Sequence, residues 1–252
     1  MKKSFKLLVC LLCGLCMLNT TPILAQDGPT DGSGVEQDPE TRYFDYGAIA
    51  EDPTFQVVKN SGQRPSNLPM RRAAVTDQAW ANYGIQQYWQ DDWTNSICSG
   101  GSSIAQVGCT ITSYSMVASK YGVYKNPEQM FYLLKQYGAI EANCNMTWNK
   151  TANQNALGLT FEHWNNTKHG NYTEAGGYQD IEGALKTGKP VIVGLQNVNN
   201  SNQKHYVVCY GFEKYSDGGK FHYIFNPQRG RPETIEGYMA QWYIRDITLL
   251  YN

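Results

Sequence analysis

Cys109, His205 and Asn226 are residue types that together can form a nucleophilic catalytic centre. Cys109 follows Gly108 and begins an apolar, helix-like run. A thiol at a helix N-terminus faces unpaired backbone N–H groups and the positive end of the helix dipole, and both favour the thiolate. A histidine can accept the thiol proton, and an asparagine can orient its ring. These residues predict attack of a cysteine thiolate on a carbonyl carbon.

A β-hairpin is predicted to bring the histidine and the asparagine together. The polar loop 213–219 separates two alternating segments, which is typical of a hairpin. If the turn centres near Tyr215 and Ser216, His205 and Asn226 lie opposite each other with their side chains on one face. This pairing depends on the assumed register, since a slip of one residue would turn one of the two side chains to the other face. The pairing would fix the orientation and tautomer of the imidazole.

The remaining histidines fit the role of general base less well. His222 precedes Asn226 by four residues, a separation of about 13 Å along a strand, and is predicted to be structural within the sheet. His163 and His169 lie in polar, Asn-rich sequence and are predicted to be surface or loop residues. His205 is therefore the preferred base.

Carbonyl attack also needs hydrogen-bond donors for the tetrahedral oxyanion. The backbone N–H of Cys109 can supply one, and a glutamine upstream of the nucleophile can supply another. Gln90 lies in the aromatic segment 88–93, which could line a cleft. Gln106 is only three residues before Cys109, and so short a connection can direct its side chain away from the oxyanion. Gln90 is the predicted oxyanion donor.

The first 25 residues are typical of a secretory signal peptide. Lysines at the start precede the apolar run 7–18, and Ala25 ends a plausible cleavage site. The run is too short to span a bilayer comfortably, so no stable membrane insertion is expected. The three cysteines of this segment each follow Val or Leu, which disfavours a lipid anchor. The protein is predicted to be secreted or periplasmic.

Export determines which cysteines remain in the mature protein and whether they can form a disulfide. Removal of the signal peptide leaves Cys98, Cys109, Cys144 and Cys209, with no Cys-x-x-Cys pair and no Cys/His cluster. A metal site is therefore disfavoured, and no cofactor is expected. In an oxidising compartment Cys98 and Cys144 could form a disulfide. Cys209 lies in an apolar strand and is predicted to be buried, which leaves Cys109 as an accessible thiol.

Length and charge limit the remaining possibilities. A chain of 252 residues has room for one sizeable domain with extra segments, and its net charge of −1 gives no reason to expect nucleic acid as a partner. Residues 26–76 are rich in polar residues, Gly and Pro, and are predicted to be a flexible leader or a short pro-segment. The folded domain is predicted over residues 77–252.

The apolar patterns predict helices before strands. Asn126-Pro127 begins a helix that Gly138 ends, and a further helix is predicted over residues 178–187. The predicted strands cover residues 191–195, 205–212, 221–226 and 243–250. This order indicates an α+β architecture.

The ordered motifs resemble those of the C39-like branch of the papain-like cysteine peptidases. They are Trp89-Gln90-Asp91-Asp92-Trp93, Gly108-Cys109 with Thr112-Ser113 and Met116-Val117, Gly188-Lys189-Pro190-Val191, His205-Tyr206-Val207-Val208 with Gly211-Phe212, and Asn226-Pro227. Two positions depart from that family, because Thr110-Ile111 replaces a frequent Gly-Pro and Asn226 a frequent Asp. Asn is the orienting residue in papain itself. A looser resemblance to the streptopain-like branch rests on Phe221-His222 and Asn226, but the expected Trp-Gly-Trp is missing.

The resemblance implies a papain-like fold in which N-terminal helices include a nucleophile helix packed on an antiparallel sheet. It also implies a cysteine peptidase that acts on a peptide or protein substrate through a thioester acyl-enzyme, without a metal or organic cofactor. Two alternatives stay open. One is an amidase or acyl transferase acting on cell-wall peptide, and the other is a non-catalytic binding module that retains the fold.

Overall fold

The computed structural model describes residues 46–59, 61–165 and 174–252. The predicted signal peptide and His169 lie outside these ranges. The helices are α1 (Tyr46–Glu51), α2 (Ile104–Val107), α3 (Cys109–Lys120), α4 (Pro127–Gln136), α5 (Lys150–Leu157) and α6 (Glu174–Lys186). The strands are β1 (Val75–Trp80), β2 (Thr160–Asn165), β3 (Val191–Asn197), β4 (Lys204–Tyr215), β5 (Lys220–Phe225) and β6 (Trp242–Tyr251). Two 3-10 turns cover Gln90–Asp92 and Ile235–Gly237.

Local sequence explains where two of the helices begin. At the start of α4, Asn126 Oδ1 accepts from the Gln129 N–H at 2.8 Å, and Gln129 Oε1 accepts from the Asn126 N–H at 3.1 Å. This capping box, with Pro127 in the first turn, confirms the predicted helix start. At the junction of α2 and α3, a Cβ on Gly108 would lie 2.3 Å from Ile104 Cγ2. Only glycine therefore allows α2 to turn directly into α3.

The strands form one antiparallel sheet between two helical layers. Its order is β1-β4-β3-β6-β2, and β5 pairs with β4. Along β3, Val191 and Val193 face a core shared with α6, whereas Ile192 faces a core shared with α3 and α4. This alternation is what a strand buried on both faces requires. Helices α3 and α6 consequently lie on opposite sides of the sheet.

The hairpin of β4 and β5 exists, but its predicted register is wrong. Val208 would face Tyr223 in the predicted register, whereas it faces Phe225, two residues further along β5. The turn is centred later than predicted, over residues 216–219, which moves the pairing by three residues, and an irregularity between Cys209 and Gly211 moves it back by one. Because side-chain direction repeats every two residues, a net shift of two keeps the same faces together.

The described part of the segment 26–76 is packed onto the domain. Tyr46 of α1 is fully buried, and Gly183 of α6 lies so close that a Cβ there would be 1.7 Å from the Tyr46 carbonyl oxygen. Lys186 Nζ donates to the Ala50 carbonyl at 3.0 Å, and Ser61 Oγ donates to the Trp80 carbonyl at 2.7 Å. Strand β1 begins at residue 75, two residues before the predicted domain start.

The cysteines outside the predicted site agree with the sequence analysis. Cys98 and Cys144 form a disulfide with their Cα atoms 5.3 Å apart, as predicted. Cys209 is fully buried in β4, and burial raises the pKa of its thiol well above the ordinary value. Among the helices of the described ranges, none has the length and apolarity needed to cross a bilayer.

Candidate active site

Helix α3 places Cys109 at its first position. The helix runs for 12 residues, and the Thr112 N–H donates to the Gly108 carbonyl at 2.9 Å in its first turn. Every residue from Cys109 to Ser119 is buried, because the helix lies between the sheet and the other helices of its layer. The prediction of an accessible thiol was therefore wrong, since the exposed fraction of Cys109 is 0%.

Contacts between α3 and β4 bring the helix start toward the beginning of the strand. Ser113, one turn after Cys109, donates from Oγ to the Tyr206 carbonyl at 3.2 Å. Burial raises the pKa of the Tyr238 hydroxyl to about 12, and the nearby Cys109 contributes to that rise. Tyr238 in turn contacts both His205 and Asn226.

His205 and Asn226 are hydrogen-bonded to each other. The distance from His205 Nε2 to Asn226 Oδ1 is 3.0 Å, and both residues are buried. Asn226 Nδ2 donates to the Pro232 carbonyl at 3.0 Å, while Oδ1 accepts from the Gln228 N–H at 3.0 Å. A carbonyl can only accept and an N–H can only donate, so these two contacts fix which end of the amide faces the imidazole.

The orientation of the amide determines the tautomer of His205. Oδ1 of Asn226 has no hydrogen, so His205 Nε2 must carry the ring hydrogen that lies between them. In the neutral imidazole Nδ1 then holds the lone pair and is the atom that can accept a proton. An aspartate at position 226 would set a carboxylate oxygen against the Pro232 carbonyl. The local contacts therefore favour Asn at a position where the resembled family often has Asp.

Burial keeps His205 neutral at neutral pH. It lowers the pKa of His205 from its ordinary value of 6.5 to about 4, although the hydrogen bond to Asn226 acts in the opposite direction. The positive charge of Arg231 lowers the pKa further. A neutral imidazole is the form that can accept a thiol proton.

Gln90 lies between the end of β5 and the helix that leads to Cys109. Its backbone N–H donates to the Pro227 carbonyl at 2.8 Å, and its side-chain Nε2 donates to the Ala105 carbonyl at 2.9 Å. The side chain is fully buried. Gln106, by contrast, is exposed, and its Oε1 accepts from the Ser103 N–H at 2.9 Å to cap α2. The structure thus commits Gln106 to a local cap.

Sequence comparison supplies the family. The model of the Peptidase_C39 like family matches residues 84–244, which is more than half of the chain and includes all four predicted site residues. The chain belongs to the Peptidase_C39 like family. Its fold class is α+β and papain-like, with α3 packed on an antiparallel sheet, and the family is one of peptidases, a class of hydrolases.

This C39-like protein is only distantly similar to a solved structure. The crystal structure of UfSP from C. elegans is similar with a TM-score of 0.40 and 13% sequence identity. That match covers 74% of this chain and 35% of the other, so this chain spans about a third of that protein. No match was found among curated proteins.

Two other histidines of this C39-like protein, His222 and His163, lie in the described ranges and are held by other partners. His222 is fully buried within the sheet, as predicted, between Glu182 and Glu236. The surface position predicted for His163 was wrong. It is buried on β2, its Nδ1 lies 2.8 Å from Thr248 Oγ1, and its ring stacks on Trp148 at 4.1 Å. Within the described ranges, no group of three His, Cys, Asp or Glu side chains is arranged to hold a metal ion.

Tyr238 is a residue of this site that the sequence analysis missed. Its hydroxyl accepts from Asn226 Nδ2 at 2.6 Å, and its ring centre lies 5.7 Å from that of His205. It follows the second 3-10 turn and belongs to none of the recognised motifs. No local pattern marks it, because its contact with Asn226 depends on how the loop after β5 folds back.

Proposed function

We propose that this chain is a secreted cysteine peptidase that hydrolyses peptide bonds through Cys109, His205 and Asn226. The observation that carries the proposal is the hydrogen bond from His205 to Asn226, whose amide orientation is fixed by Pro232 and Gln228. It leaves His205 Nδ1 as the proton acceptor, and both His205 and Cys109 are buried. Membership of the Peptidase_C39 like family supports the same reaction class.

In the proposed reaction, His205 Nδ1 takes the proton of the Cys109 thiol as the sulfur attacks the substrate carbonyl carbon. The C–N bond of the tetrahedral intermediate then breaks, and the imidazolium donates its proton to the leaving amine. Water next attacks the thioester while His205 accepts one of its protons, and collapse of the second intermediate releases a carboxylic acid and returns the proton to sulfur. Asn226 holds the ring through both halves.

Two donors are assigned to the oxyanion of this reaction. One is the backbone N–H of Cys109, at the first position of α3, where the positive end of the helix dipole favours a developing negative charge. The other is Gln90, whose amide is oriented by the Ala105 carbonyl. An amide NH2 group has two hydrogens, so the contact with Ala105 leaves a second hydrogen for the oxyanion.

The surroundings proposed for this enzyme are extracytoplasmic. The Cys98–Cys144 disulfide is the type of cross-link that persists in oxidising compartments, and the first 25 residues have the composition of a signal peptide. The proposed substrate is a peptide or protein. An amidase or an acyl transferase would use the same thioester and would differ in the bond cleaved or in the group that accepts the acyl chain.

A second candidate function is a binding module that retains the fold without turnover. The observation that favours it is the complete burial of Cys109 and Gln90, together with the 4% exposure of His205. A catalytic site must admit a substrate carbonyl to the sulfur, so this candidate and the peptidase differ in whether Cys109 becomes reachable in solution.

The test combines peptide cleavage with alkylation of Cys109 in the exported protein. We expect cleavage of a mixed peptide library to fall about 100-fold or more in Cys109→Ala and His205→Ala. Cys209→Ala is the matched control, because that buried cysteine lies outside the site. We also expect iodoacetamide to alkylate Cys109, identified by peptide mass spectrometry, and alkylation to slow in His205→Ala. An added amine that appears in the product would identify an acyl transferase.

A Cys109 that reacts only after denaturation, together with no cleavage of any peptide, would support the binding module and exclude the peptidase. Cleavage retained in Cys109→Ala would exclude the proposed nucleophile.

A further inference from the structure

Tyr238 contacts both partners of the His205–Asn226 pair. Its hydroxyl oxygen accepts a hydrogen bond of 2.6 Å from Asn226 Nδ2, and its ring lies beside the imidazole at 5.7 Å with an angle of 37° between the two planes. The residue is 7% exposed. We propose that Tyr238 is a positioning residue that acts on His205 through the Asn226 amide; this inference rests on the proposed function of that pair.

The geometry assigns separate tasks to the hydroxyl and the ring of Tyr238. Asn226 Nδ2 has two hydrogens, of which one goes to the Pro232 carbonyl and the other to the Tyr238 hydroxyl. With both hydrogens engaged, the amide cannot rotate without losing two bonds inside a buried site. The ring of Tyr238 meanwhile limits the imidazole from the side, so it restricts the plane in which His205 can lie.

The segment that carries Tyr238 is anchored at several points. Its 3-10 turn begins after Thr234, whose Oγ1 accepts from the Gly237 N–H at 3.3 Å. Glu236 of the turn accepts from the backbone N–H of His222 at 2.9 Å and lies 2.6 Å from His222 Nδ1. The Trp242 ring packs edge-on against Tyr238 at 5.9 Å. These contacts hold the hydroxyl at a constant distance from Asn226.

Other residues near Asn226 do not offer the same control. The Pro232 carbonyl and the Gln228 N–H determine which end of the amide faces His205. Tyr238 is the residue in these contacts that reaches both the amide and the ring. Its effect should therefore be visible in the orientation of the His205 ring.

The experiment compares Tyr238→Phe with Tyr210→Phe in the exported protein labelled with ¹⁵N-histidine. Tyr238→Phe keeps the ring and removes only the hydroxyl, while Tyr210→Phe makes the same change at a buried tyrosine of β4 outside the triad. We expect the His205 ring nitrogen resonances to shift in Tyr238→Phe, because the amide that orients the ring loses one of its two acceptors, and to stay unchanged in Tyr210→Phe. We expect kcat to fall about 3- to 10-fold with KM unchanged, the effect of one neutral hydrogen bond.

Unchanged His205 nitrogen resonances in a folded Tyr238→Phe protein would overturn the proposal. The outcome for the proposed function is separate: if the unaltered protein cleaves nothing, the peptidase is excluded, while the nitrogen resonances still decide the role of Tyr238. Should Tyr238→Phe fail to fold, Glu236→Gln tests the same role by loosening the turn. It should shift the His205 resonances in the same direction, and no shift in a folded Glu236→Gln protein would count against the proposal.

Discussion

The pKa values of two buried histidines, His205 and His222, shift in opposite directions. Burial lowers the pKa of His205 to about 4, and its neutral hydrogen-bond partner Asn226 does not restore it. Burial also acts to lower the pKa of His222, but hydrogen bonds and charges from Glu182 and Glu236 outweigh it and raise the pKa above 6.5. The difference follows from the partners, an uncharged amide in one case and two carboxylates in the other.

These shifts predict a stability that falls on both sides of about pH 6.5. Between about pH 6.5 and 4 the unfolded chain protonates His205 while the folded chain does not, so the free energy of unfolding should fall by about 3 kcal/mol over that window. The contribution of His222 is complete below about pH 6.5 and is lost as the pH rises through its higher folded pKa. Urea unfolding at a series of pH values measures both.

Single substitutions separate the two contributions. His205→Gln should flatten the acidic side of the stability curve, and His222→Gln should flatten the other side. An acidic side that keeps its slope in His205→Gln would show that carboxylates, rather than His205, cause the loss.

At the scale of elements, the irregularity in β4 determines which face of the hairpin each side chain occupies. Close to the turn Phe212 faces His222, and beyond the irregularity Val208 faces Phe225. The extra residue between these pairs restores the face that the late turn would otherwise have reversed. Gly211 lies at this point and pairs with Trp80 of β1.

Gly211→Ala should destabilise the protein by about 1–3 kcal/mol, because overpacking displaces a buried ring. A Cβ at this position would lie 2.1 Å from Trp80 Cε3, and Trp80 is itself packed against Tyr223 at 5.2 Å. Denaturant unfolding measures the cost. In a Trp80→Leu background the same substitution should cost much less, and an equal cost in both backgrounds would contradict the steric explanation.

The elements that the sequence predicts correctly are those with a strong local pattern. The cap at Asn126 and the apolar runs of β3 and β6 locate these elements to within a few residues. The sequence does not predict strand β1, because the strand includes Thr, Asp and Gln. Its buried residues are covered through its pairing with β4. The hairpin register and the burial of Cys109 depend on a bulge and on layers of packing that no short segment of sequence encodes.

At the scale of the whole molecule, residues 46–72 join parts of the fold that are distant in sequence. Helix α1 packs on α6, and the Val58 N–H donates to the Lys186 carbonyl at 3.0 Å. Further along, Arg64 Nε lies 2.6 Å from Glu213 Oε1, whose side chain is fully buried in β4. The segment therefore contacts the α6 layer and strand β4 of the hairpin.

These contacts predict that residues 46–72 cannot be removed without loss of stability. A chain that begins at residue 73 should unfold at least about 3 kcal/mol more easily than one that begins at residue 46, because Glu213 would keep its buried charge without the partner guanidinium. Burial of Tyr46 adds to the difference. Denaturant unfolding of the two chains measures it, and Arg64→Gln in the longer chain isolates the share of the ion pair. Equal stability would identify the segment as a removable leader or pro-segment; the predicted loss would make it part of the folded domain, whatever role the preceding residues have.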